Sequence, residues 1–428
     1  MRQPAPRSNP AGSSHVAPWP ALSRRRPAGL LAVVALLLAA SVVAVALAHH
    51  SDPGSPGTAF GRPATPPPAV RPTPAVRPTT PTPTASAGPV LTPAQLAGQR
   101  VIYSYSGLTP PASLLDWIRH GEVGGVIFFT PNVVSDSQVA HAISELNAAN
   151  ASDENPMHAY PLLLMTDQEG GLVRRLPGAP ELSEREIGEY ADAATQAQDA
   201  GAGAAANLAA VGMNVNLAPV LDVYRTPGDF DDQFGRSYST SPRVAADLGA
   251  RFIKAQQARY VAATAKHFPG LGTAAQSQNT DLGPVTLTVP LATLRSVDEY
   301  PFKAAIAAGV KLIMTSWAAY PALSGRLPAG LSSAVVQGEL RDRLGFKGVT
   351  ITDALEAGAL RSYGSIAHRA TLAASAGMDL ILCSAQNPGE GEQARQALEE
   401  GYRTGKLGQT AFEAAVQRIV GLRSSLRR

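Results

Sequence analysis

Residues 260–272 read Tyr260-Val261-Ala262-Ala263-Thr264-Ala265-Lys266-His267-Phe268-Pro269-Gly270-Leu271-Gly272. The first six form an apolar run that predicts a buried strand, and a cation and an imidazole follow at its C-terminal end, before a Pro-Gly turn. Such a strand end is suited to gripping a polar ligand. The pattern recurs between Leu91 and Arg428, where short apolar runs alternate with longer amphipathic, alanine-rich segments. Eight candidate strands fall near 101–106, 124–129, 161–166, 214–219, 260–265, 311–315, 348–352 and 378–383. Continuously apolar strands separated by helical stretches indicate a parallel sheet covered on both faces. Eight such units predict an α/β fold, a (β/α)8 TIM-like barrel, with its site at the C-terminal strand ends.

A doubly wound open sheet is the alternative, and it asks for a glycine-rich phosphate turn after an early strand. The nearest match, Gly201-Ala202-Gly203-Ala204-Ala205-Ala206, follows a helical pattern instead. The barrel asks for polar residues just past its strands. Asp167-Gln168-Glu169 follows the third run, Leu221-Asp222-Val223 the fourth, Lys266-His267 the fifth and Asp353 the seventh. A single carboxylate there caps a helix or pairs with an arginine; several at one rim point to chemistry.

Upstream of the barrel the chain divides into three parts. Residues 1–27 form a basic tail holding Arg2, Arg7, Arg24, Arg25 and Arg26, expected on the cytoplasmic side. Residues 28–48 are uncharged and apolar, long enough to cross a bilayer as a helix of about 20 residues. A signal anchor is expected, giving an outward-facing protein held at the cytoplasmic membrane; Ala46-Leu47-Ala48 also fits a cleaved signal peptide, which would make it secreted. Residues 49–90 are a Pro/Thr-rich spacer with the imperfect repeat 69–74 and 75–79, too poor in large apolar residues to fold. Residues 91–428 form the barrel domain.

Composition excludes several functions. The net charge of +3 over 428 residues is small, and part of it lies in the N-terminal arginines, so nucleic acid is not expected as a partner. The one cysteine, Cys383, lies within an apolar run and reads as a core thiol. The eight histidines are scattered, with His49-His50 in the spacer, which disfavours a metal enzyme.

The barrel segment resembles glycoside hydrolase family 3, specifically its single-domain β-N-acetylglucosaminidases (β-hexosaminidases). The matching stretches are 166–176, Asn216-Leu217-Ala218-Pro219-Val220-Leu221-Asp222-Val223, Phe234-Gly235-Arg236-Ser237-Tyr238, Lys266–Gly270, Ile313-Met314-Thr315 with Tyr320-Pro321-Ala322, and 348–355, in the family's order. The resemblance implies a retaining exo-glycosidase acting on terminal β-linked N-acetylglucosamine of peptidoglycan-derived or related glycans, without a cofactor. It makes Asp353 the nucleophile that attacks the anomeric carbon. Asp167, Arg175, Arg236, Lys266 and His267 would hold the sugar, and Glu169 would support them from behind.

One loop departs from the pattern. Hydrolysing members carry His-Gly where this chain has Leu271-Gly272, and shortly afterwards Asp-Ser-His, whose histidine is the acid/base. Here the loop runs Thr273-Ala274-Ala275-Gln276-Ser277-Gln278-Asn279-Thr280-Asp281 and has no histidine. Asp281 is the candidate acid/base in its place, a carboxylic acid as in most glycosidases; the plainer reading is a turn closed by Asn279 and Thr280. Trp317 replaces a histidine after the sixth strand, as an apolar platform for a sugar face or as rim packing. Thr130-Pro131-Asn132 replaces a pattern with arginine before asparagine. About 45 residues follow the eighth strand, patterned as helices near 393–404 and 411–425, too few for the sandwich domain that supplies the acid in larger members. Two other readings stay open: a silent sugar-binding protein of the cell envelope, and a glycosidase for glucose or xylose.

Overall fold

Eight parallel strands pair in the order β8-β1-β2-β3-β4-β5-β6-β7 in the computed structural model, which describes residues 90–426. They are β1 (Val101–Tyr103), β2 (Gly125–Ile127), β3 (Leu163–Thr166), β4 (Val215–Asn216), β5 (Ala262–Phe268), β6 (Leu312–Thr315), β7 (Val349–Thr352) and β8 (Ile381–Leu382). Between β7 and β8 the ring is joined by one parallel bridge, Ile351 to Leu380, with Thr352 N donating to Leu380 O at 3.0 Å and Leu380 N to Thr350 O at 2.9 Å. The result is a nearly closed barrel. All eight expected strands are present, each shorter than the apolar run that announced it except β5.

A helix separates each pair of strands: Ala112–Arg119, Asp136–Asn150, Ala193–Val211, Pro242–Gln257, Tyr300–Ala307, Ala334–Arg343 and Ile366–Ala376 in turn. Pro388–Arg403 and Gln409–Ser424 follow β8, close to the two helices expected there. Alternation along the strands divides the core. Ile102, Ile127, Leu163, Met165, Val215, Ala262, Leu312, Met314, Val349 and Ile351 pack with one another, whereas Val101, Tyr103, Val126 and Leu164 pack in a second cluster with helix residues such as Leu114, Ile143 and Leu208. Gly201 lies inside Ala193–Val211, where a Cβ would stand 2.3 Å from the Phe252 carbonyl oxygen. Its glycine serves the close crossing with Pro242–Gln257 and no phosphate turn.

The tail 1–27, the apolar segment 28–48 and the spacer up to Pro89 lie outside the described residues. No helix among the described residues is long and apolar enough to cross a membrane. One reading of the sequence shifts, at both of its ends. The fifth strand begins two residues later than expected and continues through Lys266, His267 and Phe268, because Tyr260 takes a left-handed backbone, φ 63°, that ends the preceding turn. Lys266 and His267 are therefore held by the ladder itself, Val220 bridging to Lys266.

Candidate active site

The site is assembled from the strand ends. Just past β3, Gln168–Gly170 and Val173–Arg174 form a small antiparallel hairpin. The buried Gln168 side chain organises its return, its Oε1 accepting from Arg175 N and Leu176 N, both at 3.0 Å, and its Nε2 donating to Leu176 O and Ala179 O. That fold-back brings Arg175 to Asp167, with Nη2 3.6 Å from Oδ2.

Lys266, from β5, joins the hairpin to the barrel. Its Nζ lies 2.8 Å from Asp167 Oδ1 and 2.7 Å from Glu169 Oε1, with the side chain only 3% exposed. Arg236 closes the other side, donating from Nε to Glu169 Oε2 at 2.9 Å and from Nη1 to Asp231 Oδ1 at 2.8 Å. Burial opposes the charges on Asp167 and Glu169. For Asp167 the fields of Lys266 and Arg175 win, and for Glu169 those of Arg236 and Lys266, so both carboxyls are held below the usual range. Lys266 is desolvated as well, yet its two carboxylates raise it. The cluster is thus fully ionised at neutral pH, a fixed lattice of charges suited to binding vicinal hydroxyls.

His267 is held differently. Its Nδ1 lies 2.7 Å from Asp222 Oδ2, and its Nε2 lies 3.4 Å from Arg236 Nη2. Burial, reinforced by the Arg236 charge, pushes the imidazole down to about 4, so it is neutral near pH 7. Asp222 also accepts backbone N–H groups from His267 and Leu271. Burial pushes Asp222 and Asp231 up to about 6 each. Asp222, Asp231 and His267 bring ligand atoms within 4.8 Å of one another, a spacing that fits a metal ion. The Arg236 guanidinium already faces both Asp231 and His267, so a protein cation fills that electrostatic role.

Asp353 follows β7, its Oδ1 accepting from Ala354 N at 2.7 Å. Burial raises its carboxyl above the ordinary range, the Asp281 charge adds to the rise, and the Lys266 charge pulls the other way. Asp281 comes from the loop after β5. Its side chain is exposed at the rim, yet the surrounding protein desolvates it enough to raise its carboxyl. Arg236 opposes that rise, and Glu356, Asp167 and Asp231 add to it. The loop residue and the strand-end residues expected from sequence therefore share one electrostatic neighbourhood. Trp317 is 1% exposed, and its Nε1 donates to Ala354 O at 2.8 Å. An indole so enclosed offers no face to a sugar, which corrects the platform reading: it packs the rim and pins the backbone next to Asp353. Asn132 likewise is buried, joining the loops after β1 and β2 through Tyr105 O and Gly107 O.

A barrel whose C-terminal rim gathers a lattice of buried charges beside strand-end carboxylates is an architecture fitted to a carbohydrate-active hydrolase. Comparison with known proteins agrees: the Glycosyl hydrolase family 3 N terminal domain matches residues 94–422. The chain is 46% identical over 330 residues, 77% of its length and 93% of the relative's, to an uncharacterized secreted glycosyl hydrolase of Arthroderma benhamiae. It is 32% identical over 304 residues, 69% of its length and 87% of the relative's, to a beta-hexosaminidase of Xanthomonas oryzae pv. oryzae. It superposes with a TM-score of 0.73, at 34% identity, on a family 3 beta-N-acetylglucosaminidase from Paenibacillus sp., covering 78% of this chain and 63% of that one. The chain belongs to glycosyl hydrolase family 3, and it is a glycosidase.

Sequence reasoning reached every residue of the charged lattice but gave no role to Asp222 or Asp231. Asp222 carried a signal, its place just past the fourth strand. Asp231 sits five residues before Arg236 in a loop without periodicity, and only the fold brings it to His267. Glu356 was also missed: it accepts from Ser384 Oγ at 2.6 Å, and its charge adds to the rise of the Asp281 carboxyl.

Proposed function

We propose that the protein is a retaining exo-glycosidase that removes terminal β-linked N-acetylglucosamine from peptidoglycan-derived or related glycans. Asp353 attacks the anomeric carbon, the bond to the leaving oxygen breaks, and Asp281 gives that oxygen its proton. A water molecule then hydrolyses the glycosyl ester, returning its proton to Asp281. Asp167, Arg175, Arg236, Lys266 and His267 hold the sugar in place, with Arg175 the most open of the set at 24% side-chain exposure. The observation that supports this reading is that the Asp281 loop is tied to the chain just past Asp353, Gly358 N donating to Asp281 O at 2.8 Å, with the Asp281 charge adding to the burial that raises the Asp353 carboxyl. One ionised and one protonated carboxyl at the same mouth is the state the reaction needs. The hexosaminidase relatives support the sugar, and the secreted relative supports export from the cell.

The test is hydrolysis of p-nitrophenyl β-N-acetylglucosaminide by the full chain between pH 4 and 8. Turnover is expected, reduced about 10³-fold or more in Asp353→Asn. Turnover only of glucosides or xylosides would overturn the sugar assignment. Binding of N-acetylglucosamine without turnover of any aryl glycoside would overturn the enzymatic mechanism.

A further inference from the structure

We propose that Gly358 is the residue that positions the acid loop, seating Asp281 against the segment that carries Asp353. This rests on the reading of Asp281 as the acid/base. The loop after β5 makes two backbone hydrogen bonds to the chain beyond β7, Gly358 N to Asp281 O at 2.8 Å and Ala359 N to Thr280 O at 2.9 Å. On its other side the loop folds on itself, Asp281 N donating to Asn279 Oδ1 at 2.8 Å and Gly283 N to Asn279 O at 3.1 Å. Asp353 and Gly358 are five residues apart, so one short stretch of chain fixes both carboxylates of the pair.

The contact requires a residue without a side chain. A Cβ at Gly358 would lie 2.4 Å from both C and O of Leu282 and 2.7 Å from Asp281 O, all backbone atoms that no rotamer change can move aside. Gly358 does not have a left-handed backbone, so alanine is conformationally allowed there and its cost falls on the contact. Of the two sides, the Gly358 side is anchored: Leu355, Ala357, Ala359 and Leu360 are buried in the core. Asp281 and Leu282 are exposed. The added methyl therefore displaces the acid loop and leaves the nucleophile's segment in place.

The experiment compares Gly358→Ala, Ala359→Pro and Asp281→Asn in the full chain, with circular dichroism and thermal melting to confirm folding. For each, kcat/KM is measured on aryl β-N-acetylglucosaminides running from dinitrophenyl to phenyl, a series that demands progressively more proton donation. Gly358→Ala is expected to lose about tenfold on the phenyl substrate and less than about twofold on the dinitrophenyl one, a weaker copy of the Asp281→Asn pattern. Ala359→Pro lacks the N–H that reaches Thr280 O and sets the ring Cδ in its place, so it unseats the same loop from the neighbouring bond and gives the same pattern where Gly358→Ala does not fold. A steep dependence in Asp281→Asn with a flat one in both loop-seating variants overturns this inference and leaves the acid role standing. A flat dependence in Asp281→Asn overturns both.

Discussion

Lys266 shows how much a single side chain carries at this site. Among the described residues it alone lies within ion-pair distance of both Asp167 and Glu169, and it is buried with them. Removing one partner from a buried charge cluster leaves the others uncompensated, which costs about 3–5 kcal/mol. Lys266→Met is therefore expected to lower the melting temperature markedly and to raise the Asp167 and Glu169 carboxyls; a melting temperature within error of wild type would contradict this. Asp281→Asn tests a different property. In the mechanism we propose, Asp353 is ionised, so turnover falls as pH drops through its raised pKa; Asp281 is protonated, so turnover falls as pH rises through its own. The kcat/KM profile of the wild type is expected to be bell-shaped, and the variant should lose the alkaline limb while keeping the acid one.

At the scale of elements, the positions next to Asp353 are set by what the strand ends touch. Trp317, after β6, reaches across to Ala354 O after β7. Trp317→Phe keeps most of the packing and deletes that bond, leaving a part-buried carbonyl short of a donor, a cost of about 1 kcal/mol. Its expected signature is a lower kcat with little change in KM, read by steady-state kinetics. The eight strands were legible because a parallel strand buried on both faces must be apolar throughout, and the runs at 161–166 and 348–352 contain β3 and β7. Their ends were not legible. Apolar residues such as Phe128 and Tyr105 continue past β2 and β1 as rim packing, their rings meeting edge to face at 6.0 Å, so hydrophobicity outlasts the ladder. The β5 extension was hidden for the opposite reason, since Lys266 and His267 are polar residues whose partners come from distant loops.

Across the whole molecule the barrel converts scattered loops into one electrostatic field, and that field has a pH signature. Asp222 and Asp231 are pushed up to about 6 in the folded state, against about 4 in an unfolded chain. Their contribution to stability is fully present below pH about 4 and is lost as pH rises through about 6. His267 has the opposite sign: it is held down to about 4, against about 6.5 unfolded, so its contribution is present above that value and lost as pH falls. Two carboxyls outweigh one imidazole over this window. Asp231→Asn removes one of the two, so its melting temperature relative to wild type should improve between pH 4 and pH 7; a constant difference would contradict the shared burial of the pair.

The central claim is that Asp353 forms a covalent bond to the sugar. Incubation of the full chain with a 5-fluoro N-acetylglucosaminyl fluoride, which slows the second step more than the first, followed by intact-mass and peptide mass spectrometry, tests it directly. The account predicts a mass increase of one fluorosugar located on the peptide containing Asp353, absent in Asp353→Asn. Continued hydrolysis without an adduct, or an adduct carried by another residue, would contradict it.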